Sequence, residues 1–158
     1  MSLQILRFTC ISPDQTAAFA VRLGTLLRAG DTLLLEGPVG AGKTHFARSL
    51  IQSRMDVPED VPSPTFTLVQ TYDVSETEIW HADLYRLSGP QEVVELGLSD
   101  AFETAICLVE WPDRLGELTP ATALTLTLLQ GADDDTRLLA LTWTDPSWGE
   151  RLKELEDD

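Results

Sequence analysis

Basic residues are scarce in this chain, and the scarcity is its first constraint. Lys and Arg together number 11 against 26 Asp and Glu, a formal net charge of −15 over 158 residues. Such a surface repels phosphate backbones and lacks the cationic footprint that supplies most nucleic-acid affinity, so autonomous binding of RNA or DNA is excluded as its role. Long apolar runs are missing too. No stretch of 18 apolar residues is present to span a bilayer, so no membrane partner is expected. The opening Met1-Ser2-Leu3-Gln4-Ile5-Leu6-Arg7-Phe8 lacks the basic flank and apolar core of a secretory signal, and a cytoplasmic protein is expected. Cysteine is confined to Cys10 and Cys107, each inside an apolar segment and without C-x-x-C spacing. They read as small core residues in a reducing compartment. The acid-rich Asp133-Asp134-Asp135 and Glu154 to Asp158 read as a solvated turn and a solvated tail.

The length suits one domain over residues 1–158, long enough to bury about two-thirds of its unfolded surface. A strand is expected over 3–9. Ser12-Pro13-Asp14 then supplies an N-cap, a first-turn proline and an acid for a helix running to about Ala29, with Gly30 as its stop. Another strand, Thr32 to Glu36, precedes a glycine-rich segment, and apolar residues at helical spacing follow it. Residues 56–64 form a surface loop; 65–74 and 78–84 are strands of an antiparallel hairpin; 89–96 is a short helix; 99–103 is a turn. The continuous apolar run Ala105 to Val109 is a strand buried on both faces, with Glu110 at its carboxyl end. Residues 124–128 and 138–143 pair as a hairpin before a last helix opened by Asp145-Pro146. The pattern is a three-layer α/β fold with a mixed sheet, parallel near the glycine-rich segment and antiparallel at the edges.

Gly37-Pro38-Val39-Gly40-Ala41-Gly42-Lys43-Thr44 fits G-x-x-x-x-G-K-[ST]. Strand, loop and helix stand in the order a P-loop requires. Glycines let backbone N–H groups turn inward around phosphates, and the following helix points its positive end at them. Lys43 reaches the β/γ oxygens, and Thr44 offers a hydroxyl to magnesium. The ligand expected is a nucleoside triphosphate with Mg2+. Hydrolysis also needs an acid at the end of a neighbouring strand, and Glu110 and Asp83 both stand there; a surface acid for the first, or a turn residue or Arg86 partner for the second, are the plainer readings. Thr65 lies where nucleotide-sensing segments often meet the γ-phosphate. His81 reads as a satisfied strand histidine, and Trp111 as packing, a shield for the site or a partner contact.

Taken together, the P-loop, Ser63-Pro64-Thr65-Phe66, His81-Ala82-Asp83-Leu84-Tyr85-Arg86, Glu95-Leu96-Gly97-Leu98 and Val109-Glu110-Trp111-Pro112 resemble the bacterial tRNA threonylcarbamoyladenosine biosynthesis ATPase family, TsaE. The match in order and spacing covers residues 37–112. The resemblance implies a cytoplasmic, P-loop-fold ATPase needed for repeated turnover of a threonylcarbamoyl transferase and its inactive homologue. That pair modifies adenosine 37 of tRNA, so tRNA is met only indirectly. It also implies that the P-loop binds ATP, with ATP and Mg2+ as cofactors, that Thr44 and Glu110 hold magnesium, that Asp83 is needed for activity, that Thr65 is a switch threonine and that Trp111 belongs to the functional cluster. By position, the segment near Thr9 and Arg137 flank the nucleotide. His45 and the acidic 133–135 turn carry no family signature. Two other readings stand beside this one. A small-molecule P-loop kinase would need an arginine-bearing lid, whereas Arg48, Arg54, Arg86, Arg114 and Arg137 are scattered. A nucleotide-controlled binding module without turnover would use the same residues.

Overall fold

Seven strands form one sheet in the order β1-β7-β6-β2-β5-β4-β3, in a computed structural model that describes residues 2–64, 67–75 and 77–156. The strands are β1 (Gln4–Cys10), β2 (Thr32–Glu36), β3 (Val69–Val74), β4 (Thr77–Asp83), β5 (Ile106–Glu110), β6 (Leu124–Gln130) and β7 (Arg137–Trp143). The inner strands β6, β2, β5 and β4 are mutually parallel, whereas β3 pairs antiparallel with β4, and β7 with both β6 and β1. The mixed α/β sheet is the one the apolar patterning implies.

Strand alternation decides what lies on each face. Leu33 and Leu35 of β2, Ile79 of β4, Ile106 and Leu108 of β5, and Leu124, Leu126 and Leu128 of β6 point into one core with α1 (Pro13–Gly24) and α2 (Lys43–Arg54). Leu34, Ala82, Cys107 and Val109 point into a second core with α3 (Pro90–Glu95) and α4 (Leu98–Thr104). Because β2 and β5 are covered on both faces, they read as near-continuous apolar runs. Trp148 and Leu152, from α5 (Ser147–Arg151) and just beyond it, and Leu155 of α6 (Lys153–Glu156) close the first core, and both cysteines are buried.

Several boundaries differ from the sequence expectation. Helix α1 stops at Gly24 rather than Ala29, since Arg54 of α2 donates to the carbonyls of Gly24 and Leu27 at 2.6 and 3.0 Å and so satisfies groups that a longer helix would have paired internally. Gly30, with φ 93°, turns the chain into β2 instead of ending the helix. Residues 98–104 make a full helix, α4, not a turn. Strand β3 begins at Val69, after Leu68 with φ 70°, whose N–H donates to the Pro64 carbonyl at 2.7 Å. A 3-10 segment, Pro112–Leu118, follows Trp111 and was not anticipated.

Candidate functional site

Parallel strands bring their carboxyl ends to one edge, and every group described next stands along it. The loop leaves β2 at Gly37 and enters α2 through Gly42, which caps the helix in a left-handed conformation and accepts the first helical bond from Phe46 N–H at 2.9 Å. Helix α2 therefore aims its amino end at the loop. Lys43 is 5% exposed and folds back on its own loop, donating to the Gly37 carbonyl and, at 3.4 Å, to that of Pro38. Its ammonium also lies 3.7 Å from the centre of a Trp111 ring.

Asp83 and Glu110 are register partners across the β4–β5 ladder, and parity puts both side chains on the α2 face. Glu110, 3% exposed, accepts from the Thr44 hydroxyl, whose oxygen lies 2.9 and 3.1 Å from Oε1 and Oε2. On its other side His81 Nε2 sits 2.7 Å from Oε2, with His81 fully buried. Asp83 is 8% exposed and accepts from the Tyr85 N–H at 3.0 Å. Burial pushes the Asp83 carboxyl above the usual carboxylate range; the Tyr85 N–H counters this and the Glu110 charge adds to it. Burial likewise lowers the Lys43 ammonium, against an upward pull from Glu110 and Asp83. Both groups are thus held in their charged forms less firmly than in water, a condition that added opposite charge relieves.

These groups line a cleft of about 520 Å³ that also takes in Tyr85, Arg86 and Trp111. Trp111 has left-handed backbone angles, φ 59° and ψ 56°, and its ring packs on Tyr85 at 4.9 Å between centroids. Such a conformation in a bulky residue stores strain that its surroundings must hold, as is common where an aromatic is aimed at a site. Next to the loop a smaller hollow of about 180 Å³ lies against Pro13, Thr16, Ala41, His45 and Arg137. There Arg137 donates from Nε to the Ala41 carbonyl at 2.8 Å and so braces the loop from behind.

The structure thus brings Lys43, Thr44, Asp83, Glu110 and Trp111 to one cleft with the loop residues Val39, Gly40 and Gly42, Val39 being 79% exposed at the tip. Thr65 lies outside the described residues. Thr9 does not join the site: it pairs with Leu138, its exposed side chain is on the face opposite α1 and α2, and Pro13 and Thr16 approach the loop instead. Among the residues missed are His81 and Arg86. His81, read as a satisfied strand histidine, contacts Glu110 directly, and Arg86, counted among scattered arginines, lines the cleft. For His81 a signal existed, since strand period two puts it on the same face as Asp83.

Among the described residues no group of three or more His, Cys, Asp or Glu could hold a metal ion by itself. The hydroxyl and carboxylate of Thr44 and Glu110 converge all the same. That donor set suits magnesium, which binds through one or two protein oxygens, water and phosphate oxygens rather than an all-protein cage.

Comparison with known proteins gives the same placement. Residues 10–139 match the family model "Threonylcarbamoyl adenosine biosynthesis protein TsaE". The TsaE protein of Rickettsia bellii is 39% identical over 131 residues, covering 83% of this chain and 90% of the relative. That of Bacillus subtilis is 33% identical over 131 residues, with coverages of 82% and 81%. The crystal structure of Bacillus subtilis YdiB superimposes with a TM-score of 0.80 at 26% identity, covering 99% of this chain and 97% of that one. This chain belongs to the TsaE family, whose members take part in the biosynthesis of tRNA threonylcarbamoyladenosine.

Proposed function

We propose that this protein is a magnesium-dependent ATPase that resets a complex of threonylcarbamoyl transferase and its inactive homologue during modification of tRNA adenosine 37, acting in the cytoplasm. The observation that carries the reading is the contact of Thr44 Oγ1 with both Glu110 oxygens, one residue from the loop lysine. A hydroxyl and an acid so placed would hold the cation, which supplies charge neutralisation to the β/γ oxygens when bound.

The remaining steps belong to the chain itself. Backbone N–H groups of residues 40–44 and the end of α2 receive phosphate oxygens. Lys43 must leave the Gly37 and Pro38 carbonyls to meet them. Asp83, with its raised proton affinity, is suited to orient a water or take its proton. The nucleoside end fits the hollow by Pro13 and Arg137. Arg86 lines the same cleft. With −15 net charge, the chain meets tRNA only through its protein partners.

Steady-state phosphate release tests this, measured for the chain alone and with the transferase pair. Slow release that the pair strongly stimulates is expected. Phosphoryl transfer to a metabolite would establish the kinase reading, and nucleotide binding without any release, partners present, would establish the binding module.

A further inference from the structure

Glu110 is a buried carboxylate whose described donors are two, the Thr44 hydroxyl and His81 Nε2. Thr44 carries a single hydroxyl proton, and it lies 2.9 Å from Oε1 and 3.1 Å from Oε2. It therefore cannot fix the carboxylate plane alone. His81 approaches Oε2 from the other side at 2.7 Å, the shortest of the three contacts. We infer that His81 is a positioning residue for the proposed magnesium site: it anchors Oε2 of Glu110, sets the rotation of the carboxylate, and leaves Oε1 and the Thr44 oxygen turned toward the cation.

The environment of the ring supports this role. His81 lies on β4, itself paired on both sides, and is fully buried. Its Nδ1 is buried with no hydrogen-bond partner. A proton on Nδ1 would bury a donor with no acceptor and turn the Nε2 lone pair against the carboxylate, so the bridging proton sits on Nε2. An orphaned buried nitrogen is a cost, and an apolar residue would fill the position without it. What histidine adds is one directed N–H at the distance Glu110 requires. Lysine or arginine would donate as well but would bring a fixed positive charge against the carboxylate and weaken its attraction for a cation. Partners that orient a metal-binding carboxylate in this way commonly affect metal affinity by about 10- to 100-fold when removed.

The inference rests on the proposed magnesium-ATP reading, and the experiment separates the two. Binding of a fluorescent ATP analogue is titrated with magnesium and with EDTA for wild type, His81→Leu, His81→Gln and His81→Asn, alongside melting temperatures. Wild type should bind more tightly with magnesium. His81→Leu should keep its EDTA affinity within about 2-fold while its apparent magnesium affinity falls about 10-fold or more. His81→Gln, whose amide nitrogen can occupy the Nε2 position, should recover most of that loss, whereas the shorter His81→Asn should not. If His81→Leu fails to fold, the Gln and Asn pair decides alone. Wild-type magnesium dependence in His81→Asn or His81→Leu overturns the inference, as does equal loss of EDTA affinity and melting temperature in every variant, the signature of packing. A wild-type protein indifferent to magnesium refutes the proposed function, and the inference with it.

Discussion

Gly37 offers the sharpest test of how the fold holds the phosphate loop. It follows the β2 residue Glu36, which pairs with Thr127 of β6, and so passes close over the end of that strand. A Cβ built on Gly37 would stand 2.3 Å from the Leu128 carbonyl oxygen and 3.3 Å from its carbon. An ordinary contact begins near 3.4 Å, so the clash is about 1 Å deep, and it is with backbone, which cannot rotate aside. The φ of 145° adds a second cost, since L side chains rarely adopt it. Taking about 1–3 kcal/mol for backbone strain and a similar amount for overpacking, Gly37→Ala should destabilise the native loop by about 2–6 kcal/mol. At about 2–4 °C per kcal/mol for a chain of this size, that is a melting-temperature loss of roughly 4–24 °C if the loop stays in place. Should the loop move to escape, the loss appears in nucleotide affinity instead, because N–H groups then miss the phosphates. Gly40→Ala is the matched control: φ is 85° but nothing lies within 4 Å of its Cβ, so only the strain of about 1 kcal/mol remains. Differential scanning fluorimetry and titration with a fluorescent ATP analogue read both routes. A Gly37→Ala protein that melts and binds like wild type, or no worse than Gly40→Ala, refutes the argument.

Asp83→Asn should stabilise the nucleotide-free protein while slowing phosphate release. Because the native carboxyl titrates above its unfolded value, its contribution to stability is complete below the unfolded value and fades as pH rises through the native one. Wild type should therefore lose stability relative to Asp83→Asn as pH rises from the unfolded value to the native one, and parallel melting curves for the two from pH 4 to 8 would contradict this. Trp111→Ala frees the Lys43 ammonium from a contact of about 0.5–2 kcal/mol, so ATP affinity should hold or tighten severalfold while partner-stimulated turnover drops. Full stimulation in a folded variant would leave Trp111 a packing residue. Glu110→Gln should keep nucleotide affinity within about tenfold yet slow hydrolysis by about 100-fold or more in single-turnover assays. Near wild-type rates there would move the principal role to Asp83.

The parts of this molecule legible in its sequence are those fixed by local chemistry. The loop shows because glycine, lysine and threonine at set spacing follow a buried strand, and Glu110 shows because an acid ends an all-apolar run. What was hidden depends on groups distant in the chain. The end of α1 is set by Arg54, which takes two carbonyls 27 and 30 residues away. His81 gains its meaning only when β4 and β5 align in parallel and bring it to Glu110, 29 residues on. Arg86 looked scattered because a count of arginines along the chain says nothing about which edge of the sheet each one reaches.

The mixed sheet itself follows from what the site needs. Four parallel strands lay the loop, Glu110 and Asp83 along one edge, since a parallel ladder keeps all carboxyl ends together. A parallel sheet alone would leave the back of the loop to a crossover connection. Here β6 instead turns directly into β7, and the return places Arg137 beside Gln130, at the same edge, where its guanidinium reaches Ala41 across 96 residues of chain. Arg137 also donates to the carbonyls of Asp134 and Thr136, so the acidic turn tethers the arginine that braces the loop. Asp133 accepts the N–H groups of Asp135 and Thr136 at 3.0 and 2.9 Å, closing that turn. A segment that reads in the sequence as solvated charge thus sets the position of one of the few cations near the loop, and the antiparallel edge serves as a support for it.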